Sequence, residues 1–564
     1  MTGSGLTARA ASVGALLGAL LAAGGLYVAH KVAGNDAGHL PAVIAGFALL
    51  SALARGRRDR RPDPRETNIV QTIASSAAMM TITGGFIGPV TALVLAGQEP
   101  SLVAMAAWGA ALGVTGSLIA VPLHGAFVAR GALPFPSAIA TAHVLEAMHA
   151  EGAGGRASLR ALAIGAAVAA AIVVAQAILG WLPAYSMLPL TVGAVPLDAI
   201  LVGIGWSPML AGVGFLAGPR TGLALALGSV LAWVVVAPRL VGAGVVAEAA
   251  YVPLVSWLLW PGLGLMIGGA LAGFVSGGAL LGAGLRELRA GAGAGAGAGI
   301  GALRFSRAHA LVLVAAVAAL LVLGRVAFGL HPALTLLAVA LSLLLCPAAA
   351  RAKGEADRAP AGPLATIGQL VIGASAPGSL GAPLGGGGIV NGTAMQSTTL
   401  LNNWRVGHRI GAPPGPQLVA SIAGVVVGAI AVAAAFELLR RAYGLGNEIM
   451  PVPAGQGWKA TAELVQHGLS AMPRGAPLAA GLGLGAGAAL ALAARHRRLG
   501  FLPSPVAIGM AFITPPYVSI TIALAGLIPR GADPTGARIA LAAGAIAGEA
   551  LAGLAAAGWM LASG

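Results

Sequence analysis

Leu311-Val-Leu-Val-Ala-Ala-Val-Ala-Ala-Leu-Leu-Val-Leu-Gly324 lies within an apolar run from about residue 306 to residue 324. Runs of about 20 mostly apolar residues recur from one end of the chain to the other, and about 20 helical residues cross a bilayer core of about 30 Å. Helices also satisfy their own backbone hydrogen bonds, which lipid cannot do. The pattern predicts an all-α membrane protein that crosses the bilayer many times.

The composition excludes a soluble globular chain. Of 564 residues, 9% are charged and 58% are hydrophobic, whereas an ordinary soluble domain is about 25% charged. The mean hydropathy is +0.89. The 87 glycines and 35 prolines do not indicate disorder, because disorder requires low hydrophobicity. We expect them to serve close helix packing and helix breaks.

The net charge of +15 is concentrated in short loops between apolar runs, most densely at residues 55–65. Basic loops stay on the cytoplasmic side of a membrane. We therefore predict a cytoplasmic loop here, a cytoplasmic N-terminus and a multi-pass protein of the cell (inner) membrane. The predicted partner of the positive charge is the lipid bilayer, with no nucleic acid.

The chain divides by composition near its midpoint. Residues 290–301 alternate Ala and Gly between arginines, which is typical of a flexible linker. We predict an N-terminal transmembrane half at 1–285, a cytoplasmic linker at 286–307 and a C-terminal transmembrane half at 308–564. About 20 residues per crossing plus loops gives about 14 to 16 transmembrane helices, some short or broken, with the run at 187–206 among them.

One proline motif occurs twice. Gly131-Ala-Leu-Pro-Phe-Pro-Ser-Ala-Ile-Ala-Thr-Ala142 matches Gly500-Phe-Leu-Pro-Ser-Pro-Val-Ala-Ile-Gly-Met-Ala511 at Gly, Leu, both Pro, Ala, Ile and the final Ala. An internal duplication is predicted, although the separation of the copies does not match the two halves. Proline disfavours helix at the residue before it, so each copy predicts an extended segment followed by a helix N-terminus. The alternative is a structural loop. The candidate site residues here are Pro134, Pro136, Pro503 and Pro505.

Ionisable residues at membrane depth are candidates for proton or cation sites. His143, Glu146 and His149 follow at i, i+3 and i+6 and share roughly one helical face. They predict a proton relay or a cation site, or else a helix that ends in solvent. Glu549 stands in the middle of the last apolar run, and it is the strongest single candidate for reversible proton binding.

The most polar stretch joined to apolar sequence follows the glycines 385–388. Carboxamides, hydroxyls and a cation together can hold a zwitterionic or peptide-like solute. We expect broken helices near 133–146, 385–405 and 502–516 to build a central site. The alternative is a cytoplasmic loop with an amphipathic helix. The candidate site residues are Asn391, Gln396, Asn402, Asn403, Trp404 and Arg405.

Signatures of enzymes and ATP-driven pumps are missing. No zinc-protease, serine-hydrolase or Walker motif occurs. The single cysteine, Cys346, excludes an intramolecular disulfide and a multi-cysteine metal site. We predict a protein that is not an enzyme and has no cofactor or bound metal, with energy from an ion gradient if transport is uphill.

Three groups of motifs together resemble the oligopeptide transporter family, which includes the yellow-stripe-like metal-chelate carriers. They are Leu133-Pro-Phe-Pro-Ser-Ala-Ile-Ala-Thr-Ala142, Asn403-Trp-Arg-Val-Gly407 with Pro413-Pro414, and Leu502-Pro-Ser-Pro505 with Pro515-Pro516 and Ala547-Gly-Glu549. The resemblance covers about residues 65 to 560. It implies about 16 helices that arose by duplication, and proton-coupled uptake of small peptides or metal chelates.

The chain departs from the family pattern at charged positions. Asn403 replaces the family's acidic residue, Arg405 replaces its lysine and Gly415 replaces its arginine, which bears on substrate type and coupling.

We predict a secondary active transporter, a symporter that takes up small peptides or peptide-like or metal-chelate solutes with protons. The alternatives are a passive channel and a non-transporting membrane enzyme or scaffold. A homo-oligomer is compatible with each of these functions.

Overall fold

The computed structural model describes residues 5–32, 39–54, 61–129, 133, 135–149, 154–193, 195–276, 303, 305–357, 359–496, 499, 501–529, 531 and 536–563. Most of these residues are helical, which confirms the all-α prediction. Pro134 and nearly all of the predicted linker lie outside the described residues. The division into halves at that linker therefore stays a prediction.

The helices of the first part of the chain are α1 (Ala8–Val32), α2 (His39–Leu53), α3 (Pro64–Ala78), α4 (Met80–Thr83), α5 (Pro89–Leu95), α6 (Leu102–His124), α7 (Pro136–His149), α8 (Gly154–Val173), α9 (Pro208–Ala217), α10 (Pro219–Ser229), α11 (Ala237–Gly242) and α12 (Tyr251–Ser276). Three π-helical segments continue α6, α8 and α10 directly: Gly125–Ala129, Val174–Ile178 and Val230–Val236.

The later helices are α13 (Arg307–Phe328), α14 (Pro332–Ala356), α15 (Ala361–Ala374), α16 (Gly381–Arg409), α17 (Pro414–Tyr443), α18 (Pro453–His467), α19 (Ala476–Ala493), α20 (Pro505–Ile513), α21 (Pro516–Gly526) and α22 (Ala537–Ser563). A short 3₁₀ helix, Gly468–Ala471, follows α18. The strands are β1 (Tyr185–Met187), β2 (Thr191–Val192), β3 (Val195–Pro196) and β4 (Gly203–Gly205).

Ten helices in the described part of the chain are long and apolar enough to cross a membrane, and this confirms a polytopic membrane protein. Shorter apolar helices accompany them at Pro41–Leu53, Pro208–Ala217, Ala361–Ala374 and Pro516–Gly526. The total of about 14 to 16 crossings stays a prediction.

The described residues form two compact units. The first, here the α16 unit, lies within Met1–Leu26, Asn35–Leu159 and Gly277–Glu437. The second, here the α22 unit, lies within Tyr27–Gly34, Arg160–Ser276 and Leu438–Gly564. Each unit therefore takes residues from both sides of the predicted linker.

Helix α16 is the centre of its unit, where it packs against α3, α6, α7, α14 and α15. It runs without a break over 29 residues, so the broken helix predicted at 385–405 is wrong. Neighbouring residues fill the space that side chains at its glycines would need. A Cβ at Gly386 would overlap Ile372 of α15, and one at Gly392 would overlap the carbonyl of Thr83. Glycine usually weakens a helix. Here the absent side chains let neighbouring helices approach, and the membrane setting favours an unbroken hydrogen-bond ladder.

The start of α7 confirms the expected change from extended chain to helix. Phe135 has φ +46° and donates its backbone N–H to the carbonyl of Gly354 at 2.8 Å. Pro136 is the first residue of the helix, where proline's missing N–H costs no helical hydrogen bond. The proline motif therefore marks a helix N-terminus in this unit.

The α22 unit contains the predicted broken helix at 502–516. Helix α20 ends at Ile513, and α21 begins at Pro516 after an extended Thr514. A second break separates α9 from α10 at Gly218, whose φ of +81° favours glycine. These breaks have the proline and glycine chemistry on which the prediction rested.

The span predicted at 187–206 is wrong. The chain there forms two antiparallel strand pairs, with Tyr185 opposite Gly205 and Thr191 opposite Pro196. The intervening sequence is apolar enough for a helix, but prolines and β-branched residues favour extended backbone over helix. Hydropathy alone does not distinguish these two outcomes.

Candidate functional site

Helix α16 is polar and nevertheless buried on all sides along most of its length. Of its 29 residues, only Arg405, His408 and Arg409 are not buried. Polar groups are costly in an apolar interior unless they find hydrogen-bond partners. The buried polar residues of this helix are Asn391, Thr393, Gln396, Ser397, Thr398, Thr399, Asn402 and Asn403.

Asn403 is the centre of one hydrogen-bonded network between α16 and α3. Its Oδ1 accepts from Nε2 of Gln71 at 2.8 Å and from the hydroxyl of Ser75 at 3.2 Å. Its Nδ2 donates to Oγ of Ser75 at 3.0 Å. Asn68 extends the network by donating from Nδ2 to Oε1 of Gln71 at 3.1 Å. All four side chains are fully buried, so these bonds fix α3 against α16.

Ser421 of α17 is the centre of a second network. Its Oγ lies 3.0 Å from Oγ of Ser76 and 3.4 Å from Oγ of Ser117. Nε2 of Gln396 donates to the same oxygen at 3.2 Å. The hydroxyl of α17 thus connects α3, α6 and α16 deep inside the unit.

Several buried polar atoms on α16 have no hydrogen-bond partner among the described residues: Oδ1 of Asn391, Oε1 of Gln396, Oγ of Ser397 and Nδ2 of Asn402. They include both acceptors and a donor. Together with the two networks they make up a set of buried polar residues, which we call the polar seam: Asn68, Gln71, Ser75, Ser76, Ser117, Asn391, Gln396, Ser397, Asn402, Asn403 and Ser421.

Asn402 connects the seam to the start of α7. Its Oδ1 accepts from the hydroxyl of Ser137 at 2.9 Å. Asp357, which ends α14, also contacts Ser137. Burial would raise the pKa of Asp357, but hydrogen bonds from Ser137 and Lys353 outweigh it and lower that pKa from its usual value. The carboxylate of Asp357 is therefore held in its charged form.

The neighbouring Trp404 has a packing role. Its indole N–H donates to the carbonyl of Pro414 at 3.0 Å. Its ring meets that of His124 edge to face, with the ring centroids 4.9 Å apart. These contacts fix the end of α16 against α6 and the start of α17.

A cavity of about 330 Å³ lies at the C-terminal end of α16 and is lined by Ile139, Arg405, His408 and Arg409. We call it the basic pocket. The guanidinium of Arg409 pairs with Glu146 of α7, from Nε to Oε1 at 3.0 Å and from Nη2 to Oε2 at 3.4 Å. Arg405 donates from Nη1 to the carbonyl of Val128 at a long 3.4 Å.

The structure gives the three residues of the predicted relay different surroundings. His143 is exposed, and Glu146 pairs with Arg409. His149 lies with Nδ1 2.8 Å from the carbonyl of Leu145 and Nε2 3.2 Å from the hydroxyl of Thr67. Because a carbonyl only accepts, neutral His149 carries its proton on Nδ1.

Sequence reasoning missed the part of the site that α3 contributes. Asn68, Gln71, Ser75 and Ser76 recur at helical spacing inside an apolar run, and this polar stripe was a readable signal. Glu66 was also missed: it is 4% exposed, pairs with Arg9 and accepts from the hydroxyl of Thr7 at 2.6 Å. Ser117 and Ser421 are isolated polar residues in apolar runs, and no pattern marked them.

In the α22 unit, Glu549 lies at the N-terminus of α9. Its Oε1 accepts from the hydroxyl of Ser207 at 2.6 Å, and its Oε2 accepts from the backbone N–H of Met209 at 2.8 Å. Ser207 also caps the helix by accepting from the N–H of Leu210 at 3.1 Å. Glu549 thus supplies acceptors at a helix N-terminus, where backbone N–H groups have no partner within the helix.

The second proline motif belongs to the same unit. Pro505 is buried at the first position of α20, after the cap Ser504, and it packs against Gly269 of α12. Pro503 is partly buried in the extended chain before that cap. The two units thus divide the predicted site: the carboxamides of α16 lie in one, and Glu549 with these prolines lies in the other. Among the described residues, no three His, Cys, Asp or Glu side chains come together as metal ligands.

Comparison with known proteins gives a match over nearly the whole sequence. The family model described as OPT oligopeptide transporter protein matches residues 5–290 and 303–560. A Saccharomyces cerevisiae protein, YGL114W, whose name assigns it provisionally to the oligopeptide transporters, is 26% identical over 197 residues. A Haemophilus influenzae protein with the same provisional assignment is 27% identical over 233 residues.

The matched stretches cover 34% of this chain with the yeast protein and 38% with the bacterial one. They span only 27% and 32% of those relatives' own lengths. The family description is that of a transporter, which agrees with the prediction that the chain is not an enzyme.

Proposed function

Because the chain belongs to the oligopeptide transporter family, we propose that it is a secondary active transporter. It takes up small peptides or peptide-like solutes, metal chelates included, together with protons. We place it in the cell (inner) membrane with its N-terminus in the cytoplasm, as the basic loops predict. The proposal assigns solute binding to the polar seam and proton binding to Glu549.

The observation that carries solute binding is the set of unpartnered polar atoms on α16. A peptide group presents one N–H donor and one C=O acceptor, so its binding site needs both kinds of partner. The seam offers acceptors at Asn391 and Gln396 and a donor at Asn402. These groups are neutral, so they hold a solute by directional hydrogen bonds without trapping it by charge.

These atoms also reduce the stability of the fold. A buried polar atom without a partner costs about 1 to 3 kcal/mol. Native proteins keep such groups mainly at functional sites, where the stability they lose is balanced by function. A solute that supplies the missing hydrogen bonds would therefore bind with a gain that ordinary packing does not provide.

The proposal for proton coupling rests on the placement of Glu549. Glu549 is 4% exposed inside a membrane helix, where ionisable residues commonly serve proton movement. Both of its oxygens accept hydrogen bonds in this structure, from Ser207 and from Met209. Protonation would remove the acceptor for one of these donors, so binding a proton would loosen α22 from the start of α9.

Uptake into proteoliposomes tests the function. Purified protein is reconstituted, and labelled alanine peptides of two to four residues are offered with and without an inward proton gradient. We expect accumulation above the external concentration that an uncoupler abolishes. Equilibration without accumulation would indicate a passive channel, and no flux under either condition would exclude a transporter of such peptides.

Ser397→Ala tests the seam itself. Its hydroxyl has no partner, so we expect the variant to be as stable as the parent or more stable, while peptide uptake falls about tenfold. The matched control is Thr393→Val, on the same helix, because that hydroxyl already donates to the carbonyl of Ile389 at 2.6 Å. Full uptake by Ser397→Ala, or equal losses in both variants, would argue against a solute site on this face.

A further inference from the structure

The basic pocket at the C-terminal end of α16 has the chemistry of a carboxylate site. Three basic side chains, from Arg405, His408 and Arg409, line its cavity of about 330 Å³, and Ile139 supplies an apolar wall. His408 and Arg409 follow Arg405 at i+3 and i+4, so all three project from one face of the helix. The acidic group that contacts this lining is Glu146, through Arg409.

The guanidinium of Arg405 keeps donors for a ligand. Arginine has five N–H donors in a planar fork that matches a carboxylate. In the part of the chain that the structure describes, Arg405 makes one hydrogen bond, the long contact to the carbonyl of Val128. Its remaining donors are available at the cavity it lines.

The contact between Glu146 and Arg409 shows how the pocket holds a carboxylate. Both carboxylate oxygens face the guanidinium, at 3.0 Å and 3.4 Å. The side chains of Arg409 and Glu146 are 41% and 42% exposed, and ion pairs of such exposure contribute little to stability. Another carboxylate can therefore displace Glu146 at small cost.

Asn402, a member of the polar seam, lies on α16 shortly before the pocket residue Arg405. Asn402 precedes Arg405 by three positions, which is a rise of about 4.5 Å along the helix. One residue of an extended peptide spans about 3.5 Å, a similar distance. The Nδ2 donor of Asn402 is fully buried and has no partner in the described chain. A carboxylate at Arg405 would thus place the last peptide carbonyl beside this donor.

We propose that Arg405, His408 and Arg409 bind the free C-terminal carboxylate of the peptide, that Asn402 binds its last peptide carbonyl, and that Glu146 is an internal anion which occupies Arg409 until the substrate replaces it. This assignment rests on the proposed function, since it needs a peptide in the seam. It makes a free carboxylate the feature by which the site selects its solute.

Equilibrium binding separates this assignment from the proposed function. The full chain is placed in nanodiscs of phosphatidylcholine, and binding is measured for alanine peptides of two to four residues and for their C-terminal amides. We expect the free acids to bind about tenfold more tightly, the effect of a hydrogen-bonded charge. Equal binding of acids and amides would overturn the carboxylate assignment alone, while no binding of either would overturn the proposed function as well.

Variants assign the preference to the pocket. Arg405→Gln should remove the preference for acids, and Arg405→Lys, which keeps the charge without the fork, should retain part of it. Glu146→Gln should raise the affinity for acids about threefold and leave that for amides unchanged. The control is Arg351→Gln, whose partner is Glu355 on the same exposed turn of α14. A preference that survives Arg405→Gln, or that Arg351→Gln also removes, would refute the assignment.

A lipid phosphate is the other anion that could fill such a pocket. The same binding measurement is therefore repeated in discs that contain phosphatidylglycerol. We expect the preference for free acids to persist. If the anionic lipid abolishes it in the parent chain while leaving amide binding intact, the pocket is a lipid headgroup site and the proposal is wrong.

Discussion

Replacing Glu549 by Gln removes the charge from a side chain that connects α22 to the start of α9, and it does so with almost no change of shape. The carboxylate accepts from the hydroxyl of Ser207 and from the backbone N–H of Met209. A glutamine keeps one acceptor, which can serve Met209, and its Nε2 can donate to Oγ of Ser207 instead. The variant therefore has a route to a folded structure.

The stability change follows from the difference between charged and neutral hydrogen bonds. A bond to a charged group contributes about 1.5 to 3 kcal/mol, and a neutral one about 0.5 to 1.5 kcal/mol. Two such bonds weaken together, so Glu549→Gln should lower the free energy of unfolding by about 2 kcal/mol. Glu549→Ala should cost more, because it leaves the donors of Ser207 and Met209 unpaired in a buried place.

The assay pairs unfolding of the purified protein with peptide uptake into proteoliposomes. We expect Glu549→Gln to fold and to bind peptide as the parent does, but to lose accumulation driven by the proton gradient. Uptake that still follows the gradient in this variant would show that Glu549 is a structural cap and not the proton site. A stability equal to the parent's would refute the reasoning about the two hydrogen bonds.

Two further predictions concern packing and pH. Gly392→Ala should cost about 1 to 3 kcal/mol, because its Cβ would overlap the carbonyl of Thr83, whereas Gly362→Ala, in open space on a helix, should be neutral or slightly stabilising in the same unfolding assay. Asp357→Asn should lower the free energy of unfolding relative to the parent chain at neutral pH. Because hydrogen bonds such as that from Ser137 lower the pKa of Asp357, this difference should vanish as pH falls below the ordinary value of 3.8, and a difference that grows in acid would contradict it.

Proline chemistry predicted the local structure of the two repeated motifs correctly. Proline at a first helical position and its effect on the preceding residue are properties of the backbone itself. They therefore hold at Pro136 and Pro505 whatever surrounds them. The family, read from the same motifs, is confirmed for the same reason, since its signature lies in short stretches of sequence.

Glycine was harder to interpret because its effect depends on neighbours. Residues 385–388 suggested a break, but close approach of other helices makes this the buried core of a continuous α16. Long-range partners were equally hidden from the sequence. Ser207 lies 342 residues from Glu549, and Gln71 lies 332 residues from Asn403. No local pattern connects positions so far apart.

The buried length of α16 carries no ionisable side chain from Gly381 to Trp404. Moving one elementary charge through a membrane potential is worth about 2.3 kcal/mol per 100 mV, whereas moving neutral carboxamides and hydroxyls is worth nothing. A displacement of this buried length during transport would thus be electrically silent. Current recorded across a bilayer would report the charges of the solute, the protons and the basic side chains at the helix end, with no contribution from the buried carboxamides and hydroxyls.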